Sequence, residues 1–168
     1  MQDHHAQLLA CIPRLRRYAR ALVGDREGAD DLVQDTMERG WHKLATWRQG
    51  SDMRAWLFSI MHNLRLDQLR KPVLPTELLD EETPMPMVAA SQSHGLELRD
   101  LQSALALLPL EQREILLLVA LEEMGYEEVA QTLGIPLGTV MSRLSRGREK
   151  LRALMEGRNV VSPLKVVK

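Results

Sequence analysis

Four prolines (Pro72, Pro75, Pro84 and Pro86) fall within fifteen residues, and from residue 72 to residue 97 the chain has five acids and no lysine or arginine. Proline supplies no backbone donor and biases the residue before it away from helix, so no regular element can run through this stretch. It reads as an extended acidic connector over 72–95. The connector divides the 168 residues into a leading segment, 1–71, and a trailing segment, 96–158, followed by a short tail, 159–168. Each segment has roughly 60–70 residues, near the lower limit for a domain that folds unaided. Two small domains on a tether are the expectation.

Both segments carry helical periodicity. Leu8, Ile12, Leu15, Ala19 and Leu22 step by four and three, with Pro13 forcing either a kink or two short helices. Gly24 can end this stretch and Asp25 can cap the next. Leu32, Val33, Thr36, Met37, Trp41 and Leu44 mark a helix from about Arg26 to Ala45, with Trp41 and Trp56 assigned to the core. A polar loop, Thr46–Asp52, offers Ser51 or Asp52 as a cap for a third helix carrying Met53, Trp56, Leu57, Ile60, Met61 and Leu64. In the trailing segment Leu98, Leu101, Leu105 and Leu108 precede a break at Pro109, and Ile115–Leu121 continues beyond it. Aromatics are only 4% of the chain, which disfavours strands. The fold class is all-α.

Residues 126–144 carry the most specific local pattern. Val129, Ala130 and Leu133 form the inner face of a short helix. Gly134 allows a left-handed turn and Ile135 anchors it, while Pro136, Gly138 and Thr139 open a second helix. Val140, Leu144 and Leu151 turn that helix back on the first. This is the layout of a helix-turn-helix, whose second helix enters the DNA major groove. Met141, Ser142, Ser145, Arg146 and Glu149 share the opposite side, flanked by Arg143, Arg148, Lys150 and Arg152. An arginine on such a face can read a guanine edge, whereas its neighbours meet phosphates.

Net charge is −1, but it is unevenly distributed: residues 1–71 hold 12 Lys+Arg against 9 Asp+Glu, and residues 98–168 hold 10 against 9. One cysteine, Cys11, excludes an internal disulfide. The five histidines are scattered without ligand or triad spacing, so no catalytic residue, no metal site and no cofactor is expected. His62 reads as a satisfied helix histidine. No apolar run approaches the roughly 18 residues of a membrane span, and no signal peptide is evident. A soluble, cytoplasmic protein without membrane insertion is expected.

Taken in order, several stretches together resemble the extracytoplasmic-function sigma factors of bacterial RNA polymerase: 29–36 (ADDLVQDT), Trp41, 54–63 (RAWLFSIMHN), Leu107–Pro109 with Arg113, 126–130 (YEEVA) and 138–148 (GTVMSRLSRGR). The resemblance spans about residues 6–155. It implies a sigma2-like domain joined to a sigma4-like helix-turn-helix domain, and a promoter-specificity subunit with no enzymatic activity of its own. Implied partners are core RNA polymerase (its β′ and β subunits), promoter DNA and an anti-sigma factor.

Carried over by position, Asp31, Gln34, Asp35 and Glu38 would bind core polymerase, with Asp30 beside them. Trp47, Arg48, Gln49, Ser51 and Asn63 would capture the opened −10 strand, and Arg65, Arg70 and Lys71 would follow its backbone. Met141, Ser142, Arg143, Ser145, Arg146 and Arg148 would read the −35 element. A stand-alone helix-turn-helix regulator binding an operator is the alternative. It would have no use for the 31–36 and 54–63 patterns. A sigma-like decoy that only titrates an anti-sigma protein would have no need of Arg143, Arg146 and Arg148.

Overall fold

The computed structural model describes residues 2–70 and 93–159, all of whose regular elements are helical. The connector residues 72–92 and the tail beyond Asn159 lie outside the described residues. The leading half holds α1 (Gln2–Ala10), α2 (Ile12–Val23), α3 (Arg26–His42), a single 3-10 turn at Leu44–Thr46, and α4 (Met53–Arg70). The trailing half holds α5 (Ser93–Ala106), α6 (Leu110–Ala120), α7 (Tyr126–Leu133) and α8 (Leu137–Asn159). The connector was expected to extend to 95, but α5 already begins at Ser93.

Local chemistry explains the breaks. Pro13 sits in the first turn of α2, where its missing N–H costs nothing, so the apolar stripe is two helices meeting at Cys11. Gly24 ends α2 with φ +97°, a conformation that suits glycine. Asp25 caps α3 by accepting a 2.8 Å hydrogen bond from the Gly28 N–H. Asp52 does the same for α4, accepting from the N–H groups of Arg54 (3.0 Å) and Ala55 (3.4 Å). Helices α3 and α4 approach closely at Gly40, where an added Cβ would lie 2.8 Å from Leu57.

The two halves are packed against each other. Helix α2 touches α5 and α6, α4 touches α7, and buried Leu22, Phe58, Ile115, Leu118 and Met124 belong to one apolar core. Tyr18 and Phe58 meet in a tilted contact with ring centres 4.7 Å apart and planes at 60°. Three polar clasps span the seam. Arg113 donates to the carbonyls of Leu105 (2.8 Å), Ala106 (3.2 Å) and Leu108 (2.7 Å) in its own half, and to Leu22 O (2.7 Å) across the seam. Glu114, buried, meets His62 Nδ1 at 2.6 Å. Glu122, whose side chain is wholly buried, lies among Arg14, Arg17 and Arg54 at 3.5–3.9 Å. The tether reading made no provision for this contact. A buried carboxylate without its counter-charges would cost several kcal/mol, so the clasps bind the halves to one another.

One further expectation fails: Trp41 is not core but 47% exposed. Trp56 is partly buried against the core, as expected.

Candidate functional site

The second helix of the helix-turn-helix presents a clean outer face. Gly134 adopts the left-handed conformation (φ +70°, ψ +38°) and its N–H bonds Ala130 O, which ends α7 and turns the chain. The 3.0 Å bond from Thr139 N to Pro136 O and the 3.1 Å bond from Val140 N to the same oxygen start α8. Val140 and Leu144 are then fully buried against the rest of the half, and Gly147 lets α8 approach Leu116 and Gln112 of α6. That packing leaves Met141, Ser142, Ser145, Arg146 and Arg148 exposed and Arg143 partly so. All six residues therefore border one accessible surface. Met141 is 50% exposed. It lines a concavity of about 430 Å³ with Tyr126, Leu144, Ser145, Arg148, Glu149 and Arg152. Arg152 was expected on the flank of this face, and Tyr126 extends it beyond the sequence reading. Tyr126 starts α7, and its place facing α8 is set by the turn between them, which spacing along one helix does not reveal.

The loop before α4 is less open. Arg48, Gln49 and Ser51 are exposed, and the Ser51 hydroxyl donates to Arg48 O at 2.7 Å, tightening the turn. Trp47 is only 8% exposed, and His4 of α1 covers it edge-on with ring centres 5.0 Å apart. Its indole N–H is buried with no hydrogen-bond partner among the described residues. Asn63 is exposed farther along α4. Arg65 is partly buried and reaches Gln68 at 3.2 Å. Burial lowers its pKa, opposed by Asp25 and Glu114. Arg65 therefore sits toward the seam and not on an open track. Arg70 is exposed, and Lys71 lies outside the described residues.

The acidic stripe is fully displayed. Asp31, Gln34, Asp35 and Glu38 are all exposed on α3. Beside it runs a groove of about 680 Å³ whose apolar wall is Leu9, Ile12, Val33, Met37 and Trp41, edged by Arg16, Asp30, Gln34, Glu38 and His42. Val33, Met37 and Trp41 stand four residues apart, so one helix face carries an apolar row next to an acidic one. Sequence reading found the acids and gave the apolar row to the core, which holds for Val33 and for Met37 packed against it but not for Trp41. The available signal was the row's position beside charged residues.

Among the described residues, no group of three His, Cys, Asp or Glu side chains could hold a metal ion, and no helix is long and apolar enough to cross a membrane. Cys11 is free, with its thiol pKa raised by burial and by Asp52 and Glu122, against the pull of Arg14 and Arg54.

Comparison with known proteins accounts for both halves. Residues 8–62 match the family described as the sigma2 domain of PhyR, and residues 98–151 match sigma-70, region 4. The ECF RNA polymerase sigma factor EcfG of Rhodopseudomonas palustris is 38% identical over 149 residues, 88% of this chain and 82% of that protein. SigM of Mycobacterium tuberculosis, also named an ECF RNA polymerase sigma factor, is 32% identical over 90% of this chain and 73% of its own. Among solved structures, the sigma factor RpoE in complex with the anti-sigma factor NepR from Bartonella quintana superposes with a TM-score of 0.76 at 34% identity, covering 93% of this chain and 98% of that one. CnrH in complex with the cytosolic domain of CnrY gives 0.69 at 30% identity, over 94% and 90%. With a helix-turn-helix behind a four-helix unit that displays an acidic stripe on α3, and relatives matched over most of their length, this chain belongs to the extracytoplasmic-function sigma factors of RNA polymerase.

Proposed function

We propose that this sigma factor divides its contacts between its halves, with the leading half holding core polymerase and the opened −10 strand and the trailing half reading the −35 duplex. The supporting observation is the outer face of α8. Apolar Val140 and Leu144 are buried, while Met141, Ser142, Ser145 and Arg146 face solvent in one row with Arg143 and Arg148 at its margins. Arg146 is suited to a guanine edge, Met141 to a thymine methyl, and the flanking arginines to phosphates.

Core polymerase docks on α3. Asp31, Gln34, Asp35 and Glu38 meet a basic partner helix, and the groove through Leu9, Met37 and Trp41 takes its apolar side. Arg48, Gln49, Ser51 and Asn63 surround the captured strand. Trp47 joins them only if His4 and α1 move aside. The domain limits are 1–71 and 96–158, with the first helix of the trailing domain starting inside the connector at Ser93, and the protein works in the cytoplasm. An anti-sigma factor regulates it, by analogy with the NepR- and CnrY-bound relatives.

Run-off transcription with sigma-free core polymerase on a promoter library tests the reading. Selective transcription from templates sharing a −35 and a −10 element supports it. Unselective transcription, or none, refutes it.

A further inference from the structure

Three guanidinium groups from two helices converge on one carboxylate at the seam. Arg14 and Arg17 stand three residues apart on α2, and Arg54 lies in the first turn of α4, two residues after the loop ends at Asp52. Glu122, from the turn between α6 and α7, is the group they surround. The fit is poor for a carboxylate. Its Oε2 lies 3.5 Å from Arg17, while Oε1 lies 3.7 Å from Arg54 and 3.9 Å from Arg14 and accepts no hydrogen bond among the described residues. The backbone contributes more: Arg54 Nη1 donates to Glu122 O at 2.9 Å.

Glu128 of α7 also reaches Arg54, at 3.6 Å. Both acids belong to the trailing half. If the halves part, they leave with it, and the leading half keeps three cations against Asp52, which is 3.5 Å from Arg54. A surplus of positive charge at the mouth of a strand-binding loop is a phosphate site in waiting. Guanidinium forks match a phosphate, which offers more acceptor oxygens than a carboxylate.

We propose that Arg14, Arg17 and Arg54 form a sequence-independent site for backbone phosphates of single-stranded promoter DNA, and that Glu122 plugs it while the halves are packed together. The choice of nucleic acid over an acidic protein rests on the reading of the adjoining loop, 47–52, as the strand-capture loop. The site and its plug are mutually exclusive, so strand binding and separation of the halves are coupled.

The test uses the full chain and an oligodeoxythymidylate of about 12 nucleotides, a length within the range of single-strand binding sites, titrated by fluorescence anisotropy at several salt concentrations. Glu122→Gln and Glu122→Ala should each bind it about 5- to 10-fold more tightly than the unaltered chain. Their salt dependence should steepen by about 0.7 for each added phosphate. Adding Arg14→Ala and Arg17→Ala to either variant should erase the gain, and an uncharged methylphosphonate oligonucleotide should show none. The Glu122 variants should keep the helical circular dichroism of the unaltered chain.

An unchanged affinity in both Glu122 variants would overturn the proposal, as would a gain that survives loss of Arg14 and Arg17. Binding of oligoglutamate in place of the oligonucleotide would overturn it in favour of an acidic protein partner. Because the probe carries no promoter sequence, failure of base capture by the loop has a separate signature. A single strand carrying the −10 sequence would then bind no more tightly than thymidylate, with the gain from the Glu122 variants intact.

Discussion

The two faces proposed above to meet nucleic acid are in different states of readiness. On α8 the residues suited to base edges and phosphates stand in solvent, backed by a packed core at Val140 and Leu144. Around the loop before α4, Trp47 lies under His4, Arg54 is held by Glu122 and Glu128, and His62 on the same helix is bonded to Glu114 of the other half. The difference matches the two tasks. Duplex DNA can be read by a rigid helix as it stands, whereas an unpaired strand must be seized as it forms. A surface reserved for that moment is better covered beforehand than left to bind stray single strands.

That contrast can be attacked from either side. Reversing charge at Asp31→Arg with Asp35→Arg should have the largest effect, because like charges facing a basic partner cost several kcal/mol. Affinity for core polymerase should fall by about 100-fold or more, with the melting temperature little changed because both positions are exposed. A pull-down with sigma-free core measures the first, and calorimetry the second. Arg113→Ala comes next. It leaves the carbonyls of Leu105, Ala106, Leu108 and Leu22 short of a donor, and should destabilise the chain by about 3 kcal/mol in urea titration. It should also loosen the seam, so the face around α4 gains exposure while that of α8 does not. Hydrogen exchange would record the asymmetry.

Arg146→Ala should weaken −35-dependent transcription by about 10- to 100-fold, corresponding to roughly 1–3 kcal/mol for a bidentate base contact. Core binding should be unaffected. Tyr18→Phe is the smallest change and reports on the seam itself. Burial, with Glu114 and Glu122 nearby, raises the Tyr18 pKa well above its ordinary value of 10.0. The folded chain therefore favours neutral tyrosine. That contribution is fully present below pH 10 and is lost as pH rises above it. The unaltered chain should lose stability more steeply above pH 10 than Tyr18→Phe does, as urea titrations at pH 9 and above would show.

Much of the fold was legible because its signals are local. Asp25 and Asp52 announce helix starts, Pro13 a helix break, and Gly134 with Pro136 the turn of the helix-turn-helix. The exposed face of α8 follows from burial of Val140 and Leu144 one turn apart. What escaped is long-range. Glu122 and Arg54 are 68 residues apart, and nothing in either neighbourhood says they meet. A buried acid on a turn reads as solvated until its counter-charges are seen. Trp41 was misjudged for a related reason: a tryptophan in register with Met37 and Val33 looks like core, although it borders an open groove. Periodicity gives the faces of a helix but not which face another chain covers.

The division of labour between the halves is tested most directly by footprinting one promoter duplex with this chain alone, with core polymerase alone, and with the two together. The account predicts protection of the −35 and −10 elements only when both are present. Asp31→Arg with Asp35→Arg should abolish that protection altogether, and Arg146→Ala should weaken it at −35 first. Equally selective protection by the chain without polymerase would contradict it.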